Sequence, residues 1–190
     1  MWARFLCNMN EASSVVDPPS RERCLALMDE YEMLQHIRDH SLKVCRVSMA
    51  IATALHEAGA SIDLPLVEAG ALLHDITKTK SLETKENHAE TGEELLGKLG
   101  YSQTGKVVGE HIIPDDRGDM LTPAEIVAYA DKRVLHDKVV SLEERFNYLM
   151  ERYGSFKEAS EYYAQMRKSM HNIEQLIERI TNKSLSALVR

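Results

Sequence analysis

The chain has 190 residues, enough for one domain with a sizeable core that needs no disulfide or metal staple to fold. Its formal net charge of -7 at pH 7 gives no reason to expect a nucleic acid polymer as partner, so an anionic substrate would need a local device such as a metal ion or a few placed Lys and Arg side chains. The cysteines Cys7, Cys24 and Cys45 are odd in number and lack paired spacing, and no apolar run approaches a membrane span, so a soluble chain in a reducing cytoplasm is expected.

The segment from Met1 to Glu11 is too short and too soon acidic for a signal peptide, and Ser13 to Ser20, with Pro18 and Pro19, reads as a linker. Residues 1–19 are therefore expected to be a flexible lead-in. From Arg21 onward the spacing is helical and no stretch sustains the period-two alternation of strands, which predicts an all-α, single-domain bundle. The first helix, Arg21 to Gln35, carries Leu25, Met28 and Leu34. A second begins at an Asp39 cap with His40 in its first turn, one turn before the stripe Val44, Val47, Ile51, Ala54 and Leu55.

Gly59 and Asp63-Leu-Pro65 break the chain, and Pro65 suits the first turn of a helix in which Val67, Gly70, Ala71 and His74 share one face. That helix ends in the doublet His74-Asp75; Ile76 to Lys85 reads as a polar loop, with Lys78 placed for a phosphate contact. Asn87 with Glu90 resembles a capping box, which puts His88 at the first helical position on a face with Gly92, Leu95, Leu96 and Leu99, closed by Gly100. The next helix, Gln103 to Ile112, aligns Val107 and Val108 with His111 and stops at Pro114, before a loop from Asp115 to Gly118 expected at the mouth of the site.

Thr122-Pro123 opens a further helix whose inner side carries Val127, Ala130, Asp131 and Val134. A carboxylate in an apolar stripe is costly unless it is paired or binds a metal. The last third reads as structural: Leu142, Phe146, Leu149 and Tyr153 form one amphipathic face, Gly154 punctuates it, and Tyr162 or Tyr163, Met166, Met170, Ile173, Ile177 and Ile180 form another. The expected division is 1–19 lead-in, 20–154 metal-binding helical domain and 155–190 a C-terminal helix packed on the domain or on a partner, including a second copy in a homodimer.

A single inward histidine is more often a hydrogen-bonded core residue than a ligand. Here the pattern recurs: His40, His74, His88 and His111, with Asp75 and Asp131, fall on the apolar side of separate helices or at their inner ends, His74 and Asp75 sharing one. That recurrence points to a metal site built from helices. His56, His136 and His171 lie among polar or frayed positions and read as solvated, while His36 is kept as a supporting residue outside the helix that Asp39 would cap. Lys132 and Arg133 read as surface charge on the rim.

His40 in Arg38-Asp-His-Ser-Leu-Lys-Val44, His74-Asp75 in Leu72-Leu-His-Asp-Ile-Thr-Lys78 and Asp131 in Ala128-Tyr-Ala-Asp-Lys132 resemble the H…HD…D signature of the HD superfamily of metal-dependent phosphohydrolases. His88 and His111 are similar to the two extra histidines of its binuclear branches, and the resemblance spans about Leu34 to Tyr153. Thr77 stands where many relatives have glycine, a departure that touches no ligand. The resemblance implies two divalent transition metal ions (Fe, Mn, Co, Ni or Zn), one held by His40, His74 and Asp131, the other by His88 and His111, with Asp75 bridging.

The reaction so implied is attack of a metal-activated water on a small phosphate ester or nucleotide-like substrate, with Asp75 and Lys78 as catalytic residues. A GYP-type motif of the cyclic-dinucleotide enzymes is not apparent. Two alternatives accompany this reading. One is a binuclear iron oxygenase on the same ligands; the other is a non-catalytic nucleotide-binding regulatory domain.

Overall fold

The computed structural model describes residues 18–112, 114 and 118–189, and within them helices account for nearly all regular structure. The expected lead-in lies outside the described residues as far as position 17, as do Cys7 and most of the loop from Asp115 to Gly118. Chain order gives α1 (Arg21–Glu30), α2 (Gln35–Glu57), α3 (Leu64–Leu73), α4 (Lys78–Thr84), α5 (His88–Lys98), α6 (Ser102–Glu110) and α7 (Pro123–Lys132). A two-strand ribbon follows, β1 (Val134–Leu135) and β2 (Lys138–Val139), then α8 (Leu142–Tyr153), α9 (Lys157–Thr181) and α10 (Leu185–Leu188).

At the centre is α3, whose residues Leu66, Val67, Ala69, Gly70, Ala71, Leu72 and Leu73 are all buried. Its start is fixed by the Asp63 side chain, which accepts from Leu66 N, and by a proline in the first turn. Because α3 is apolar on all sides but that of Glu68, it must be covered by several neighbours. It packs against α1, α2, α6 and α7. Leu72 and Leu73 are fully buried and each contributes about 1.5–3 kcal/mol. The fit with α6 is close: a β-carbon on Gly70 would fall inside the Val107 side chain.

Several element boundaries differ from the sequence expectation. Helix α1 stops at Glu30 because Glu32 adopts φ 50° and Met33 N donates back to Met28 O. This left-handed exit turns the chain and leaves Leu34 42% exposed rather than in the core. Helix α2 starts at Gln35, so Asp39 is interior and binds Gln35 Nε2 at 2.9 Å instead of capping; His36 and His40 then share one helix.

The stretch expected as a polar loop holds α4, a short helix with no buried residue and hence no apolar stripe to announce it. Asn87 does cap α5, accepting from Ala89 N, but Glu90 binds its side-chain amide at 2.8 Å and the reciprocal box is not formed. Val134 lies beyond α7 in the ribbon, where β1 pairs antiparallel with β2 (Val134 opposite Val139, Leu135 opposite Lys138), around a turn in which His136 has φ 57°.

The full capping boxes are Thr122 with Glu125 on α7 and Ser141 with Glu144 on α8. Helix α9 packs on α8, α7 and α2, so the C-terminal segment covers the domain with Met166, Met170, Ile173 and Ile177. Tyr153, expected inward, is 50% exposed; of Tyr162 and Tyr163 it is Tyr163 that packs against the core, with Tyr162 41% exposed. No helix of the described residues is long and apolar enough to cross a membrane.

Candidate metal centre

The two histidines that follow the most buried helices are held by those helices' own ends. His74 caps the C-terminus of α3, and its Nδ1 donates to Ala71 O at 2.9 Å; His111 caps α6 in the same way, with Nδ1 2.6 Å from Val108 O. Each ring donates to a carbonyl of the last helical turn, where the helix itself supplies few partners. His40, in α2, donates Nδ1 to His136 O at 2.9 Å, across to the ribbon. With Nδ1 carrying the proton in His74 and His111, their Nε2 lone pairs are left for an electrophile, the arrangement that backbone acceptors impose on metal-binding histidines, while His40 Nε2 faces Asp131 Oδ1 at 2.9 Å.

Those nitrogens converge. The rings of His40 and His74, His74 and His111, and His88 and His111 stand 5.5, 5.1 and 5.2 Å apart between centroids. His40, His74 and Asp131 offer ligand atoms that lie within 4.8 Å of one another, and so do Asp75, His88 and His111. Asp75 stands between the two groups, with Oδ2 3.5 Å from His74 Nε2 and Oδ1 3.2 Å from His88 Nε2. The structure thus brings together all six residues singled out from the sequence, with Lys78 beside them, its Nζ 2.8 Å from Asp75 Oδ2.

The electrostatics suit a cation-binding centre. Burial works against ionisation of Asp75, but His74, Lys78 and His88 outweigh it and hold the carboxyl well below the usual range; Lys132, His40 and His74 do the same for Asp131. Desolvation, with the neighbouring His74, pushes His111 down to about 3, and desolvation lowers His74 too. Burial opposes charge on His40 and Lys78, yet Asp131 raises the first and Asp75 the second. The result is two ionised carboxylates and two neutral imidazoles, the protonation states that metal coordination requires.

Two atoms test the fit directly. His74 Nε2 and Asp75 Oδ1 are fully buried and form no hydrogen bond of acceptable geometry. Orphaned acceptors at the core of a domain are costly, and a divalent ion would satisfy both. The donors are imidazole and carboxylate without thiolate, the set that suits first-row transition metals.

Lys132 and Arg133 are not rim charges. Lys132 is 5% exposed, with Nζ 2.5 Å from Asp131 Oδ2, leaving Oδ1 for His40 at 2.9 Å. Arg133 is buried, donating to Val140 O and to the Tyr129 hydroxyl, which in turn donates to Glu174 on α9. A flanking position on a helix does not reveal burial when the ribbon and α9 close over it.

The sequence reading also missed the wall facing this centre. A cleft of about 380 Å³ is lined by His36, His40, Asp75, Lys78, His136 and, from α8, Arg145, Tyr148, Arg152 and Tyr153. The spacing of 145, 148 and 152 places a cationic and aromatic stripe on one helical face, a signal available in the sequence.

An all-helical bundle with a His-Asp doublet at its centre and histidines and a carboxylate arriving from four further helical segments is the architecture of a metal-dependent hydrolase domain. The HD domain family model matches residues 37–134, and the chain belongs to this family, whose members bind divalent metals and are commonly metal-dependent phosphohydrolases.

Among curated proteins, the chain is 25% identical over 135 residues to an uncharacterized protein of Methanocaldococcus jannaschii, covering 63% of this chain and 79% of that one. It is 29% identical to the tRNA (cytidine(56)-2'-O)-methyltransferases of Picrophilus torridus and Thermoplasma volcanium, over 76% and 82% of this chain. It spans 44% and 48% of those two proteins, less than half of either. No solved structure matches the chain significantly.

Proposed function

We propose that the chain is a metal-dependent phosphohydrolase that cleaves a small phosphate ester or nucleotide-like compound. The observation that carries this reading is the two groups of His and carboxylate ligands whose ligand atoms lie within 4.8 Å of one another, with Nδ1 of His40, His74 and His111 tethered to backbone carbonyls. His40, His74 and Asp131 would hold one ion, His88 and His111 the other, with Asp75 between them. When bound, two divalent ions supply an ionised water near neutral pH and neutralise charge on the phosphoryl oxygens.

The chain's own residues do the positioning. Asp75 and Asp131 each keep one oxygen on a lysine, Lys78 and Lys132, which fixes the other oxygen toward the centre. Lys78, half-buried at the floor of the cleft, is the donor able to stabilise the phosphate or the departing oxygen. No protein nucleophile is required. The methyltransferase activity named for the two archaeal relatives belongs to proteins more than twice as long as the matched segment, and is not carried over.

The test is elemental analysis of the purified chain followed by a screen of phosphate esters with the metal found. His74→Ala and Asp75→Ala should each lose bound metal and lower turnover by more than the roughly 10–100-fold typical of an outer-shell partner. Full activity in either variant, or oxygen consumption in place of phosphate release, overturns the reading.

A further inference from the structure

The wall of the cleft opposite the metal centre is supplied by α8, which lies beyond the segment matched by the family model. Arg145, Tyr148, Leu149, Arg152 and Tyr153 of this helix line the opening. Arg145 is partly buried, its Nε is fully shielded from solvent with no hydrogen-bond partner, and among the described residues no carboxylate lies within ion-pair distance of it. Arg152 donates to the Tyr148 hydroxyl at 2.9 Å, and its guanidinium carbon stands 5.7 Å from the Tyr153 ring centroid. Both guanidinium carbons stand 5.9 Å from the Tyr148 ring centroid, and His136 meets the same ring edge-on at 6.0 Å.

This concentration of positive charge is unusual for the chain it belongs to. The whole protein carries a net charge of -7, yet the cleft is lined by Lys78, Arg145 and Arg152 against a single carboxylate, Asp75, already engaged by Lys78. A guanidinium whose Nε is desolvated and unpaired lacks the hydrogen bonds that a buried donor needs, and an anion in the cleft would supply them. Leu82, Leu135 and Tyr153 add apolar surface beside Tyr148, so the anion site adjoins a place for a flat ring. The cleft volume of about 380 Å³ is at the small end of the range for small-molecule sites, roughly 300–1,000 Å³.

We propose that Arg145, Arg152 and Tyr148 form a second subsite of this cleft. It takes a phosphate other than the one at the metal centre, together with the ring attached to it, so the preferred ligand is a nucleotide carrying at least two phosphates. The proposal rests on the phosphohydrolase reading for what happens at the metal end, but it concerns binding and is tested by binding.

The probes are inorganic phosphate, methylenediphosphonate and α,β-methylene-ADP, none of which is hydrolysed, titrated calorimetrically into the metal-loaded full chain. Arg145→Gln should weaken methylenediphosphonate and the nucleotide analogue by about tenfold or more while changing phosphate less than about twofold, because only the second anion reaches the guanidinium. Arg145→Lys should recover part of that loss, which separates lost charge from lost folding. Tyr148→Leu should weaken the nucleotide analogue more than it weakens methylenediphosphonate, because it removes the ring surface as well as the hydroxyl that holds Arg152.

Equal affinity of wild type and Arg145→Gln for the diphosphonate overturns the subsite, as does an equal loss for all three probes. So does a wild type that binds the diphosphonate no better than phosphate. Binding as described with no turnover of any phosphate ester would instead overturn the hydrolase reading and leave the subsite standing.

Discussion

Asp131 shows how single side chains set this centre. Its two oxygens are divided between His40 at 2.9 Å and Lys132 at 2.5 Å, and the lysine is buried, so neither partner is easily replaced by water. Lys132 positions the carboxylate rather than touching any reacting atom. Lys132→Met removes the charge but keeps the length, and should weaken metal binding by roughly 10–100-fold, the range for an outer-shell partner. A metal titration of the variant checks this, with circular dichroism to confirm that the helices remain; unchanged affinity with intact helices would remove Lys132 from the centre.

At the scale of elements, the approach of α3 to α6 decides whether His74 and His111 meet. Gly70 has no room for a methyl group beside Val107, which is buried and stiff at χ1. Gly70→Ala should therefore destabilise the protein by about 1–3 kcal/mol, the cost of overpacking. In a Val107→Ala background the Cγ1 contact is removed and only Cβ, at 3.1 Å, has to give slightly, while helix propensity favours alanine over glycine by about 1 kcal/mol. The cost of Gly70→Ala should then shrink toward zero, and urea unfolding of the four proteins in the cycle measures it. Simple addition of the two effects would mean that the helices do not meet as described.

For the whole molecule, the buried titratable groups make stability a function of pH and of metal. In the metal-free chain His74 and His111 titrate below the ordinary value near 6.5, His111 at about 3. The unfolded chain then binds more protons than the folded one between those limits, so their contribution falls as pH drops through 6.5 toward 3. His40 is raised and acts with the opposite sign, contributing stability below 6.5 that is lost as pH rises through its folded value. Asp75 and Asp131 are lowered, so what they contribute is present above their unfolded value near 3.9 and is lost only as pH falls further.

Two imidazoles against one give a net loss for the chelated protein between pH 7.5 and pH 5.5. Added divalent metal should raise Tm in a concentration-dependent way, because the ions bind the folded centre and need the same neutral histidines. Thermal melts with and without chelator at both pH values check both statements. A Tm indifferent to chelation would count against an ion-binding centre.

Much of this was legible in the linear chain. The apolar faces of α2, α3, α5, α6 and α7 follow from residues recurring at helical spacing, and the same spacing carries His40, His74, His88, His111 and Asp131 inward. Helix α4 was not legible, because a seven-residue helix without a buried side has no stripe. The left-handed exit at Glu32 was hidden for a related reason, since glutamate carries no turn signal.

What only the tertiary structure decided are contacts between residues far apart in sequence. His40 and the His136 carbonyl that orients it are 96 positions apart, and the burial of Lys132 and Arg133 depends on the ribbon and α9 closing over α7. Periodicity reports which side of a helix is apolar. It does not report which neighbour covers that side, and the neighbour orients the His40 imidazole, shifts the charge on each carboxylate and decides the chemistry that α8 presents across the cleft.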